Sequence, residues 1–189
     1  SGFLISSPAI ANIDVDPELE IIQANSAFVN NKVFAWNVDG SNVAGWPVEF
    51  NYGYATLSSA IVGDVTGDND PEVIVAAADG LVYAWNKNGE RVDGWLRSLG
   101  SNTIASTPAL GDINNDGTIE LVAVNWIGQI GVWDIGTNLN RNVLEWPMFH
   151  HDPSRTGSYP AVPNKLKNPS YEVDSGIDYY PNWNEDDNI

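Results

Sequence analysis

Short apolar runs alternate along the chain with clusters of Asp, Asn and Gly, and no stretch beyond about ten residues keeps helical spacing. PAIANI (8–13), AIVGDV (60–65) and PALGDI (108–113) predict short strands. LEIIQA (19–24), EVIVAA (72–77) and IELVAV (119–124) are β-branched runs of the kind found in buried strands. KVFAWN (32–37), LVYAWN (81–86) and IGVWDI (130–135) follow, with Phe34/Trp36, Tyr83/Trp85 and Val132 or Trp133 alternating with small or apolar neighbours. Asp39-Gly40 and Asn88-Gly89 mark tight hairpin turns. A fourth strand is expected after each turn, ending in Gly-Trp-Pro, Gly-Trp-Leu or Glu-Trp-Pro.

The runs belong to three copies of one unit: Ser6–Pro47, Ser58–Leu96 and Ser106–Pro147. The loop openings Asn12, Asp64 and Asp112 are 52 and 48 residues apart, and the closing Trp46, Trp95 and Trp146 are 49 and 51 apart. A period near 50 is that of a repeat array, with four strands to the unit. The expected fold is all-β: three four-stranded propeller-type blades, forming a partial β-propeller or one completed between chains, plus an extended C-terminal tail. The boundaries fall at 1–52, 53–101, 102–159 (blade 3 with a closing segment) and 160–189 (a linker and an acidic, aromatic tail).

Charge changes the picture. The chain carries 25 acidic and 8 basic residues, formally −17, which disfavours nucleic acid and anionic membrane surfaces as partners. No apolar run is long enough to span a membrane. No cysteine is present, so disulfides, thiolate metal sites and a Cys nucleophile are excluded. SGFLISSPAI lacks the basic start of a signal peptide, and the chain reads as a mature product or an excised segment.

The acids are concentrated. The loops between the first and second strands are NIDVDPELE (12–20), DVTGDNDPE (64–72) and DINNDGTIE (112–120), with four, four and three acidic residues, eleven of the chain's 25. Oxygen-bearing side chains stand at positions 1, 3 and 5, and position 9 is always Glu. Alternate side chains of a tight turn converge, and a hard cation such as Ca²⁺ takes six to eight oxygens. Asp, Asn and Gly are also ordinary turn formers, so each loop on its own has a purely structural reading.

The sequence strand–DxDxDGxxE–strand, then VYAWN, a DG turn and GWP, resembles the FG-GAP/VCBS-type β-propeller repeat, and the loops are similar to those of integrin α-subunit propellers. The resemblance covers about residues 3–150, and WPMFHHDPSRTGSY (146–159) looks like a segment that closes such repeats. It implies side-chain ligands at loop positions 1, 3, 5 and 9 and a carbonyl at position 7. Those are Asp112, Asn114, Asp116 and Glu120 with the Thr118 carbonyl; Asp64, Thr66, Asp68 and Glu72 with that of Asp70; and Asn12, Asp14, Asp16 and Glu20 with that of Glu18. Up to three Ca²⁺ are implied. Gly117 keeps the loop glycine, Asn69 replaces it with a residue that tolerates a left-handed backbone, and Pro17 does not tolerate one. The loops therefore rank third, second, first.

Trp36, Trp85, Trp133, Trp46, Trp95 and Trp146 are expected to pack between blades, whereas Trp126 and Trp183 fall outside the repeat and are candidates for partner or ligand contacts, with Tyr179 and Tyr180. His150 and His151, as strand neighbours, would point to opposite faces and serve structure rather than metal. The tail beyond Tyr159 is either a spacer or a docking arm. Motifs of nucleophilic, zinc or phosphate chemistry are missing, so no catalysis is expected. Three blades do not close a ring, and their open faces call for other protein chains or copies of the same chain, in a multimer or filament. The expectation is an extracellular or cell-surface, calcium-stabilised module for assembly, adhesion or protein contact. The alternative is a carbohydrate-binding accessory module of a secreted polysaccharide-degrading enzyme or protease, with glycans as partners.

Overall fold

The computed structural model describes residues 6–14, 16–25, 31–49, 56–140 and 143–157. Eleven strands and no helix occur among them. β1 (Ala9–Ala11), β2 (Glu20–Ala24), β3 (Lys32–Trp36) and β4 (Val48–Glu49) form the first antiparallel sheet, in chain order. β5 (Ile61–Gly63), β6 (Glu72–Ala76), β7 (Leu81–Trp85) and β8 (Arg97–Ser98) form the second in the same way. The third holds β9 (Ala109–Gly111), β10 (Thr118–Val124) and β11 (Ile130–Asn138), with β10 between the other two.

Pairing dictates which residues share a face, because partners across an antiparallel ladder point the same way. In the first sheet, Ile22 opposite Ala35 and Ala24 opposite Val33 lie on one face, and Ile21 opposite Trp36 and Gln23 opposite Phe34 on the other. The second sheet repeats this with Ile74–Ala84 and Ala76–Val82 against Val73–Trp85 and Val75–Tyr83. The Val73/Trp85 face packs into a core shared with the first sheet, and the Ile74/Ala84 face into a core shared with the third. Sheet 2 is thus buried on both sides, which explains why EVIVAA reads as a continuous apolar run.

Three expectations are corrected. The Gly-Trp pair precedes the fourth strand rather than ending it: after the hairpin turn only an isolated Trp36–Asn42 bridge forms, and β4 and β8 start beyond Trp46 and Trp95. The cause is a second turn, in which the Trp46 and Trp95 amides donate to the carbonyls of Val43 (3.0 Å) and Val92 (3.3 Å). The third sheet has three strands among the described residues, not four. Where a fourth would begin, the chain leaves the sheet: Trp146 exchanges hydrogen bonds with Val62 of β5 (2.8 and 2.9 Å), and the Pro147 carbonyl accepts from Leu110 of β9. Trp146 is buried as expected, but in the core between sheets 1 and 2. His150 and His151 lie in a turn and not a strand, both at positive φ, with His150 stacked on Phe149 and His151 edge-on to Trp146.

The hairpin turn of sheet 2 touches the Gly-Trp turn of sheet 1. A Cβ on Gly45 would stand 2.0 Å from the Asn88 carbonyl oxygen, and one on Gly89 would stand 2.4 Å from the Gly45 oxygen. Gly45 also has φ +86°. Its counterpart Gly94 has φ +69° but open space around it. Gly94→Ala is therefore expected to cost about 1–2 kcal/mol of backbone strain. Gly45→Ala should cost clearly more, because it adds a backbone clash to the same strain. Urea unfolding of the two variants checks the order; equal losses would mean that the two turns are not in contact.

Candidate metal centres

Each loop leaves a first strand and re-enters a second, and its last residue is a buried glutamate. Glu20, Glu72 and Glu120 stand opposite Ala11, Gly63 and Gly111 in the strand pairing and are at most 3% exposed. In every loop one carboxylate oxygen of this glutamate accepts the backbone N–H of position 2: Ile13 at 2.8 Å, Val65 at 2.9 Å and Ile113 at 2.8 Å. Nothing in the sequence pattern marks this amide, because a backbone donor has no residue type.

Above that shared base the loops differ. In the first, the Asn12 side-chain amide donates to the Asp16 carbonyl (2.7 Å), Asp14 accepts from the Asp16 N–H (2.9 Å) and Asp16 from the Glu18 N–H (2.8 Å). These turns close the loop without the left-handed residue that Pro17 cannot supply. Carboxylate oxygens of Asp14, Asp16 and Glu20 come within 4.8 Å of one another. The other oxygen of Glu20, Oε1, is buried and has no hydrogen-bond partner. Two oxygens on opposite sides of a calcium ion, each about 2.4 Å from it, stand about 4.8 Å apart, so this trio fits a hard cation.

In the second loop Asp64 spends both oxygens on the turn itself. It accepts from the N–H groups of Thr66 (3.0 Å), Gly67 (2.6 Å) and Asn69 (2.9 Å). Asn69 adopts φ +69°, the left-handed backbone expected of it, and Gly117 takes φ +90° at the same loop position. Asp68 accepts from the Asp70 N–H, and the Asp70 carboxylate pairs with Lys87 Nζ at 2.6 Å. That ion pair engages the Asp70 side chain and not its carbonyl, the group expected to face an ion.

In the third loop Asp112 accepts from Asp116 N–H (3.2 Å) and Gly117 N–H (3.0 Å). The Asn114 side-chain amide donates to Asp116 (2.9 Å) and Glu120 (3.2 Å), bridging the two carboxylates where a cation would otherwise bridge them. The Thr118 hydroxyl and N–H, then the Asn114 amide, hold the Asp116 carboxyl below its ordinary range. The loop that the sequence ranks last thus holds the three-carboxylate group found among the described residues. Each loop has three carboxylates among positions 1, 3, 5 and 9, but in the second and third the aspartate at position 1 is turned to backbone N–H groups, whereas in the first Asp14 at position 3 joins Asp16 and Glu20.

Trp126, by contrast, lies far along β10's hairpin and is 71% exposed. Trp183, Tyr179 and Tyr180 lie outside the described residues.

Burial, reinforced by Asp14, Asp16 and Glu18, pushes the Glu20 carboxyl up from 4.5 to about 8. Burial with Asp68, Asp64 and Asp70 raises Glu72 from 4.5 to about 7. In each case the amide hydrogen bond from position 2 opposes the rise. A raised folded-state value means that the folded chain holds a proton the unfolded chain has released, so stability falls as pH rises. In chelator, the melting midpoint is expected to drop progressively from pH 4.5 to about 8. Glu20→Gln should flatten the upper part of that drop; a midpoint that climbs across the interval would contradict the burial of these carboxyls.

Residues 64–123, from the opening of the second loop into β10, match the family model of the FG-GAP-like repeat. The chain carries that repeat. No curated protein matches the chain.

Proposed function

We propose that this chain is a β-propeller-like, extracellular module for protein–protein contact whose sheet turns are stapled by calcium. The observation that carries the reading is the trio Asp14, Asp16 and Glu20, with a buried Glu20 oxygen left without a hydrogen bond. A divalent ion there would displace the proton that burial otherwise keeps on this carboxyl group and balance the carboxylate charge. In the first loop the ion would be held by Asp14, Asp16 and Glu20, with the Glu18 carbonyl and Asn12 completing the set. The second and third loops would use Asp64, Thr66, Asp68 and Glu72 with Asp70, and Asp112, Asn114, Asp116 and Glu120 with Thr118. For the ion to enter the third loop, the Asn114 amide must rotate to present its oxygen.

The staple is structural. It ties the end of one strand to the start of the next and adds binding energy to the folded state alone. Calcium affinities of about 10⁻⁴–10⁻³ M, usual for extracellular modules, suit a fluid rich in calcium. The reading assigns the chain no catalytic role; its work is to present sheet faces and turns to other proteins, in assembly or adhesion.

A glycan-binding role has one observation in its favour. The Trp126 turn matches the Ala77–Leu81 turn in its hydrogen bonds: Asn125 N–H to Gln129 O and Gly128 N–H to Asn125 O repeat Ala77 to Leu81 and Gly80 to Ala77. At its tip, however, a broad, exposed indole replaces Ala78. Loss of binding on a glycan array by Trp126→Ala would support this second role, and an unchanged array would remove it.

Calcium at about 100 times its dissociation constant is expected to add about 2.7 kcal/mol per occupied site. Thermal melts with calcium and with chelator measure the gain, and Asp16→Asn should reduce it. A midpoint indifferent to calcium in the unmodified chain would end the calcium reading.

A further inference from the structure

The hairpin turns after β3 and β7 are built alike: the Gly40 and Gly89 N–H groups donate to the carbonyls of Asn37 and Asn86, each at 2.9 Å. The residue after that asparagine differs. It is Val38 in the first repeat and Lys87 in the second, while Ile135 stands two residues after Trp133 in the third. Lys87 reaches the calcium-type loop of its own repeat, with Nζ 2.6 Å from Asp70 Oδ2. Asp70 occupies loop position 7, where the other loops carry Glu18 and Thr118, so the pairing is private to the second repeat. Lys32–Glu49 and His151–Asp152, also formed among the described residues, involve no loop acid.

The lysine is held from both ends. Its carbonyl accepts Trp46 Nε1 at 3.3 Å, and the next residue meets Gly45 so closely that a Cβ there would stand 2.0 Å from the Asn88 oxygen. The boundary between sheets 1 and 2 thus fixes the root of the side chain, and Asp70 fixes its tip. Asp70, then Asp68, raise Lys87 above the ordinary lysine range, so the ammonium is felt at loop position 5 as well as position 7. A positive charge tethered there balances part of Asp64, Asp68, Asp70 and Glu72, and it repels a divalent ion drawn to the same acids. The first loop also has four acids, but no lysine follows Asn37.

We propose that Lys87 is the second loop's own counter-cation, which competes with calcium and sets the calcium affinity of that loop below what its acids alone would give. This rests on the calcium reading above and assigns a residue that tunes it.

The test follows backbone amide resonances of the whole chain during a calcium titration. Gly67 and Asn69 report on the second loop, Asp16 and Glu18 on the first. Lys87→Met should lower the calcium concentration that half-shifts Gly67 and Asn69 by about threefold to tenfold, and leave the first loop unmoved. Asp70→Asn removes an acid and leaves the ammonium unbalanced, so it should raise that concentration by a similar factor. Lys87→Arg keeps the charge and should match the unmodified chain. In about 1 M salt, which screens charges beyond about 3 Å, the gain from Lys87→Met should fall below about twofold. A salt bridge that merely braces the loop would behave otherwise, with Lys87→Met and Asp70→Asn both weakening calcium binding. Lys87→Gln replaces Lys87→Met if the melting midpoint of the latter collapses in chelator.

Unchanged or weaker calcium binding in Lys87→Met overturns the role of Lys87, as does a gain that survives 1 M salt. Second-loop amides indifferent to calcium in every variant, beside first-loop amides that respond, remove Lys87 and leave the calcium reading standing on Asp14, Asp16 and Glu20. Amides indifferent in both loops remove both.

Discussion

A carboxyl group buried at the root of a turn is the constraint around which each repeat is arranged. Glu20 and Glu72 open their strands and Glu120 stands third in its own, each among mainly apolar neighbours, and each is anchored by one backbone N–H from across its loop. That bond fixes where the first strand stops and the second starts, and so fixes the register on which every face assignment depends. It satisfies one oxygen. The other must find a proton, an amide or a cation, and the three repeats differ in which they offer. Asn114 supplies an amide in the third loop, while the first offers two further carboxylates and no donor to the Glu20 Oε1.

With the register set, alternation does the rest. Sheet 2 has two apolar faces because each is covered by a neighbour, and the stacked Tyr83 and Trp85 fill one of those contacts while Leu121 and Trp133 fill the other. The turns add a second layer of contact. Gly45 and Gly89 bring two backbones together more closely than any side chain would permit, and Trp46 Nε1 reaches the Lys87 carbonyl at 3.3 Å across the same boundary.

Much of this was legible in the sequence, for definite reasons. The strands around Ile10, Ile22 and Phe34 and their counterparts could be read because a repeat shows each pattern three times. The left-handed Asn69 and Gly117 could be read because few residues tolerate that backbone. The place of Gly-Trp was misread because a turn made by backbone bonds, such as Trp46 N–H to Val43 O, leaves only a glycine as its sign. The third repeat misled for a different cause. Glu145-Trp146 looks like its predecessors, yet its position depends on β5 and β9, which lie far away in the chain and are invisible to local pattern. The order of the loops was judged on Pro17 and the neutral Asn12, which are local residue types, whereas the convergence of Asp14, Asp16 and Glu20 is a matter of geometry that the sequence does not spell out.

The strand-like segment at 143–147 gives the array a property that stacked repeats usually lack. In a simple stack, each unit touches only its neighbours, and the last can peel away without disturbing the first. Here Trp146, which belongs to the third repeat by sequence, is part of the core between the first two sheets, while Val143 and Trp146 bond to the loop end and strand of the second. The end of the array is stitched through its beginning. Fraying from that end therefore opens the oldest interface along with the newest, and the three sheets share one fate on unfolding.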